Sequence, residues 1–221
     1  MFRSIPDVLT RPELDQLRMI AARSPFVDGR MSAVGSPVKN NVRVGDDNAL
    51  RQSAQIVGQA LVRCEDFRVF AFPKTMTPPL LTRYDVGMHY GIHVDSAFMP
   101  IGEGSLRTDL SCTIFISEPE EYEGGELQIR LGTSDILVKG KAGSAIVYPS
   151  TTIHQVLPVT SGSRLIALTF IESRIANSEF REWLFELNEI GAIVGEKMDL
   201  ETYTRLQRVQ QNLLRYWADP D

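Results

Sequence analysis

Histidine and cysteine are scarce in this chain: three of the former and two of the latter among 221 residues. Cys64 and Cys112 stand far apart, so neither a disulfide framework nor a zinc-binding cysteine spacing is available, and reduced core thiols are expected. No apolar run approaches the roughly 20 residues a membrane span requires. Basic residues do not exceed acidic ones: 23 Lys and Arg stand against 28 Asp and Glu, a formal charge of −5. That balance lacks the electrostatic footprint of a nucleic-acid or anionic-membrane binder, so neither partner is expected. Internal repeats and low-complexity segments are missing as well. Met1-Phe2-Arg3-Ser4 opens no signal-peptide pattern, and a cytoplasmic location is the expectation.

What is present suits one globular domain with a helical extension: 43% of residues are hydrophobic and 23% charged. Ile5 to Leu9 reads as a short strand. Thr10 and Glu13 then form a capping box for a helix to about Arg23. A second helix is expected from about Asp47 to Cys64, with Leu50, Ala54, Val57, Leu61 and Cys64 on one face. From Phe67 onward short β-rich runs alternate with turn residues: Arg68 to Phe72, Leu80 to Val86, Ile92 to Asp95, Leu110 to Ile116, Glu126 to Leu131, Asp135 to Val138, Ser144 to Tyr148, His154 to Leu157 and Arg164 to Ile171. About eight strands suffice for a double-stranded β-helix, the cupin-like jelly roll, so the expected class is mainly β with flanking helices. Gly124-Gly125 reads as a tight turn and Glu118 to Glu123 as a solvated acidic loop. Beyond Glu172, Asn177 to Glu189 and Leu200 to Trp217 carry helical spacing. The expected division is a helical buttress over 1–66, a β core over 67–172 and a helical extension over 173–221. Those last helices either pack on the barrel or form a homodimer interface anchored by their tryptophans.

Chemistry concentrates at His93-Val94-Asp95, at His154, and at Arg164 ten residues later. On an extended segment His93 and Asp95 fall on the same face about 6 to 7 Å apart, within reach of one cation. Two imidazoles and a carboxylate form the facial ligand set of non-haem iron(II) oxygenases, and a planar guanidinium suits the distal carboxylate of a 2-oxoglutarate co-substrate. His89 lies about 13 Å from His93 along a continuous strand, too far to share that cation, and is expected at the entrance. Each residue also has an ordinary reading. His93 and Asp95 could be a hydrogen-bonded pair, His154 a half-buried histidine, and Arg164 a solvated charge after the Thr160 to Ser163 turn. Their joint order along one β pattern is what favours a common site.

The segment Tyr84-Asp85-Val86-Gly87-Met88-His89-Tyr90-Gly91-Ile92-His93-Val94-Asp95 resembles the first iron-binding motif of prolyl 4-hydroxylase-like iron(II)/2-oxoglutarate dioxygenases, and more narrowly of the bacterial PKHD-type hydroxylases. Val38-Lys39-Asn40-Asn41, Arg107-Thr108-Asp109-Leu110-Ser111, the run Glu118 to Leu127 and Tyr148-Pro149-Ser150 support the narrower likeness, which spans roughly residues 1 to 180. The resemblance implies Fe(2+) on His93, Asp95 and His154, and 2-oxoglutarate on Arg164 with Tyr84 nearby. It also implies dioxygen as co-substrate, L-ascorbate as a reductant, and hydroxylation of a prolyl, lysyl or other peptidyl group or of a small molecule, with release of succinate and CO2. Retention of the carboxylate Asp95 favours hydroxylation over halogenation. Met88, Tyr90 and Phe98 flank the motif, either as a substrate rim or as local packing. Two other classes stay open from the residues alone. One is a non-catalytic cupin-like module that senses iron or 2-oxoglutarate; the other is a structural β-barrel whose histidines only form hydrogen bonds.

Overall fold

The computed structural model of the chain describes residues 2–32 and 37–219. Its larger sheet orders the strands Arg3–Ile5, Ala145–Pro149, Leu110–Phe115, Arg164–Ser173, Leu80–Tyr84, Val42–Val44 and Phe26–Asp28, with Pro73–Met76 also beside Arg164–Ser173. The smaller sheet orders Ser134–Val138, Leu127–Leu131, His154–Val156, His89–His93 and Lys39–Asn40. Neighbouring strands are antiparallel in both. Alternation along the strands sorts the side chains into two cores. Tyr84, Phe115, Ile146, Tyr148 and Ile166 of the larger sheet meet Leu127, Ile129 and Val156 of the smaller one. On the opposite face Leu81, Cys112, Ile114, Val147 and Ala167 pack against helices through Leu14, Leu17, Val57, Leu61 and Phe67. The result is the expected jelly roll, with its helices outside one sheet and its functional interior between the two.

The helix Arg11–Arg23 starts where the capping box predicts, with the Thr10 amide donating to Glu13 Oε2 at 2.8 Å. Asp46 caps the helix Asp47–Arg63 by accepting from the Ala49 amide at 2.8 Å. That helix buries Ala49, Ser53, Val57, Ala60 and Leu61, a stripe turned slightly from the expected one, because its smallest side chains let the backbone approach the sheet.

Several expectations are corrected. The first strand is Arg3–Ile5, since Pro6 has no amide hydrogen and Asp7 turns the chain at φ 50. Arg68 to Phe72 is no strand: residues Glu65–Ala71 form a helix that buries Phe67, Phe70 and Ala71 at i, i+3 and i+4, and Phe72 ends it at φ 45. The acidic stretch is not merely solvated. It turns through Pro119–Glu121, Arg18 holds Glu121 at 2.7 Å, and Glu118 accepts from the Ala142 amide. Tyr122–Gly124 then pairs with Val159–Gly162, so Thr160 to Gly162 is strand rather than turn. Gly124 and Gly125 do turn the chain, at φ 67 and 65. A hairpin of Phe98–Ile101 and Gly104–Arg107 lies in a stretch where no strands are expected.

Asn177 and Asp199 cap two C-terminal helices, Ser178–Val194 and Leu200–Trp217. The first buries Arg181, Leu184 and Phe185. The second buries no residue fully and meets the first through Phe180 and Trp217, stacked 4.4 Å apart. Cys64 and Cys112 are free thiols, and among the described residues no helix is long and apolar enough to cross a membrane.

Candidate metal and co-substrate site

Two adjacent strands of the smaller sheet set the site. His154 is paired with His93 across the ladder, and both imidazoles point into the space between the sheets, their rings 4.2 Å apart. The strand is His89–His93 rather than Ile92 to Asp95, and Asp95 lies two residues past its end with its carboxylate beside the His93 ring, while Ile92 and Val94 stay exposed. His93 Nε2 lies 3.8 Å from Asp95 Oδ1 and His154 Nε2 lies 3.8 Å from Asp95 Oδ2. One donor atom from each residue falls within 4.8 Å of the others, as a single cation requires. His89 stands outside this cluster, its Nδ1 3.3 Å from the Gly87 carbonyl.

The rings are oriented by their own strands. His93 Nδ1 donates to the Gly91 carbonyl at 2.7 Å, and His154 Nδ1 donates to the Thr152 carbonyl at 2.9 Å. A carbonyl can only accept, so both Nδ1 atoms carry a proton, and Nε2 is the ring atom each histidine turns toward Asp95. Burial, reinforced by the neighbouring His154, lowers the His93 pKa and favours the neutral, ligating form. Tyr90 stacks on His93 at 3.6 Å, and Tyr148 meets His154 edge-on at 5.1 Å.

Asp95 has fixed partners of its own. Ser111 Oγ donates to Asp95 Oδ2 at 2.6 Å and lies 2.7 Å from Ser150 Oγ, while the Asp95 amide lies 3.3 Å from the Ser150 carbonyl. Ser111 has one hydroxyl proton, already given to Asp95, so Ser150 donates to Ser111. Neither serine is assigned a role by sequence reasoning. The available signal is their place at the ends of Arg107 to Ser111 and Tyr148 to Ser150.

Arg164 opens the long central strand opposite Tyr84 and is only 1% exposed. Its Cζ lies 5.0 Å from the Tyr84 ring and 6.0 Å from that of Phe115. Nε, Nη1 and Nη2 have no hydrogen-bond partner among the described residues. Burial raises the Tyr84 pKa, opposed chiefly by the Arg164 charge, so the phenol stays protonated and able to donate. Of the expected rim, Met88 packs against the interior cluster, Tyr90 covers His93, and Phe98 stands 62% exposed on its hairpin. The donor set fits a divalent cation that takes imidazole and carboxylate ligands, and the unpaired guanidinium fits an anion beside it.

Comparison with known proteins agrees. Residues 79–172 match the 2OG-Fe(II) oxygenase superfamily. A PKHD-type hydroxylase of Sphingopyxis alaskensis is 52% identical over 91% of this chain and 92% of its own length. Another from Thioalkalivibrio sulfidiphilus is 40% identical over 99% of this chain and all of its own. Among solved structures, a Pseudomonas putida prolyl-4-hydroxylase superposes with a TM-score of 0.54 at 18% identity, covering 78% of this chain and 92% of that one. A Trichoplax adhaerens prolyl hydroxylase, solved with a hypoxia inducible factor peptide fragment, gives 0.55 at 15% identity over 77% and 83%. These two share the fold. On its relatives and the chemistry of its interior, the chain belongs to the PKHD-type hydroxylases, iron(II)- and 2-oxoglutarate-dependent dioxygenases of the 2OG-Fe(II) oxygenase superfamily.

Proposed function

We propose that His93, Asp95 and His154 hold the ferrous ion, that Arg164 holds the distal carboxylate of 2-oxoglutarate with Tyr84 beside it, and that a C–H bond of a peptidyl or small-molecule substrate is hydroxylated there. The observation that carries this reading is the Arg164 guanidinium, 1% exposed and without an acceptor among the described residues. A charged group buried unpaired costs more than about 1–3 kcal/mol, so its place inside the barrel calls for an anionic partner. When bound with 2-oxoglutarate and O2, the iron supplies oxidative decarboxylation to succinate and CO2 and the oxidising power that turns C–H into C–OH.

The chain's own part is to present and to hold. Three ligands on one side leave the remaining positions for co-substrates. The Nδ1 hydrogen bonds keep each Nε2 aimed inward, and the stacked Tyr90 and the buried Tyr148 limit water around the imidazoles. No side chain is needed as nucleophile or general base. Peptidyl substrates, of the prolyl or lysyl kind, are supported by the motif likeness. Phe98, exposed on its hairpin, offers an apolar contact for such a chain. L-ascorbate as reductant is carried over from the family. The two free thiols support a cytoplasmic setting.

The test is anaerobic addition of Fe(II) and then 2-oxoglutarate. A visible metal-to-ligand charge-transfer band is expected in the wild type, none in Asp95→Ala, and a band only at much higher co-substrate concentration in Arg164→Ala. A wild-type protein without the band would remove the reading.

A further inference from the structure

Among the described residues, seven buried side-chain nitrogen and oxygen atoms have no hydrogen-bond partner, and six of them belong to Asn41, Tyr122 and Arg164. Such atoms are rare in folded proteins, and a group of them in one place points to a polar ligand. The strands explain how they meet. Val42 pairs with Arg83, so one step further sets Asn41 beside Tyr84, and Tyr84 in turn pairs with Arg164. Asn41, Tyr84 and Arg164 therefore form a row across three neighbouring strands. Asn41 is 3% exposed, with both Nδ2 and Oδ1 unpartnered. Tyr122 reaches Arg164 from another side. It pairs with Gly162, and a Cβ built on Gly125 would lie 3.3 Å from both Tyr122 Cε2 and Arg164 Cδ. The phenol of Tyr122, 3% exposed, also lacks a partner.

We propose that Asn41 and Tyr122 are further binding residues for the 2-oxoglutarate co-substrate: Asn41 Nδ2 and the Tyr122 hydroxyl donate to the distal carboxylate that Arg164 grips. This rests on the reading of Arg164 given above. The donor types suit the task. A carboxylate has about four lone-pair positions, of which a guanidinium fork fills two. An amide and a phenol can fill the others without adding charge, and in a buried pocket a carboxylate with all its positions met is held far better than one left partly bare. The pair also gives selectivity. A 2-oxo acid of equal length that ends in a methyl group would leave the amide, the phenol and the guanidinium all unanswered.

That comparison is the test. Binding of 2-oxoglutarate and of 2-oxopentanoate, which carries a methyl in place of the distal carboxylate, is titrated by the charge-transfer band of the anaerobic Fe(II) protein. Tyr122→Phe is expected to weaken 2-oxoglutarate about tenfold, the value of one hydrogen bond to a charged acceptor, and to leave 2-oxopentanoate unchanged. Asn41→Asp places a like charge at the carboxylate and is expected to weaken 2-oxoglutarate by more than that, again selectively. A residue whose variant weakens both acids alike, or weakens neither, loses its assignment. Tyr122→Phe removes a single hydroxyl and keeps the ring, so it keeps the proposal open to refutation even if Asn41→Asp folds poorly. Arg164→Met separates the two layers. If it keeps the wild-type preference for 2-oxoglutarate, the reading of Arg164 fails. If it loses that preference while both other variants keep it, only the present proposal falls.

Discussion

At the scale of single residues, the carboxylate ligand is the one that needs help. An imidazole is aimed by one hydrogen bond at its far nitrogen, whereas a carboxylate has two oxygens and can swing to offer either or both. Ser111 takes one lone pair of Asp95 Oδ2 at 2.6 Å, and Ser150 holds Ser111 at 2.7 Å. With that oxygen engaged, the Asp95 carboxylate is held in one orientation and would present a fixed face to the ion. Loss of such an outer partner commonly reduces metal affinity about 10- to 100-fold. Ser111→Ala is therefore expected to weaken Fe(II) binding within that range while leaving the melting temperature close to wild type, as read by anaerobic Fe(II) titration beside thermal melts. Unchanged affinity would deny Ser111 this role. His93 and Asp95 were legible in the sequence because a spacing of two residues already suggests one face. The serines were not, since Ser111, Ser150 and Asp95 meet only through the pairing of strands far apart in the chain.

At the scale of elements, local signals succeeded wherever a cap or a period was complete. The Thr10 and Glu13 box and the Leu200–Trp217 helix stand where sequence reasoning puts them. Arg68 to Phe72 misled because a seven-residue helix with two Phe and a Val carries the composition of a strand, and burial of one face, not propensity, decided its form. The pair Tyr122–Gly124 and Val159–Gly162 was hidden by an acidic, glycine-rich stretch whose partner is distant. The C-terminal helices carry a prediction of their own. Ile193 is 70% exposed, Val209 51% and Tyr216 85%, an apolar surface on two helices of which the second buries no residue fully. If these helices join two copies of the chain, the second of the two arrangements expected from the sequence, sedimentation velocity should give a dimer for the wild type and a monomer for Ile193→Asp. Ile193 suits this better than Trp183, which packs against Phe180 and Trp217 within one chain. A wild-type monomer would leave packing on the barrel as their role.

At the scale of the whole molecule, the two sheets divide the work. One carries the arginine and is braced by helices; the other carries the histidines and has an outer face where Ile92 and Val94 are exposed. The jelly roll was legible as a count of short strands with turns between them. Which strands would be neighbours was not, because antiparallel order depends on long-range pairing rather than on any local pattern. That pairing has a last consequence. The donors are gripped by the scaffold itself: His93 by Gly91, His154 by Thr152, Asp95 by Ser111. A protein built so does not depend on its ion for shape, in contrast to zinc fingers, which collapse when stripped. Treatment with a chelator is expected to abolish turnover yet preserve the circular dichroism spectrum, with only a modest fall in melting temperature and full recovery when iron is restored. Spectral loss on stripping would mean that the metal, and not the barrel, organises the pocket.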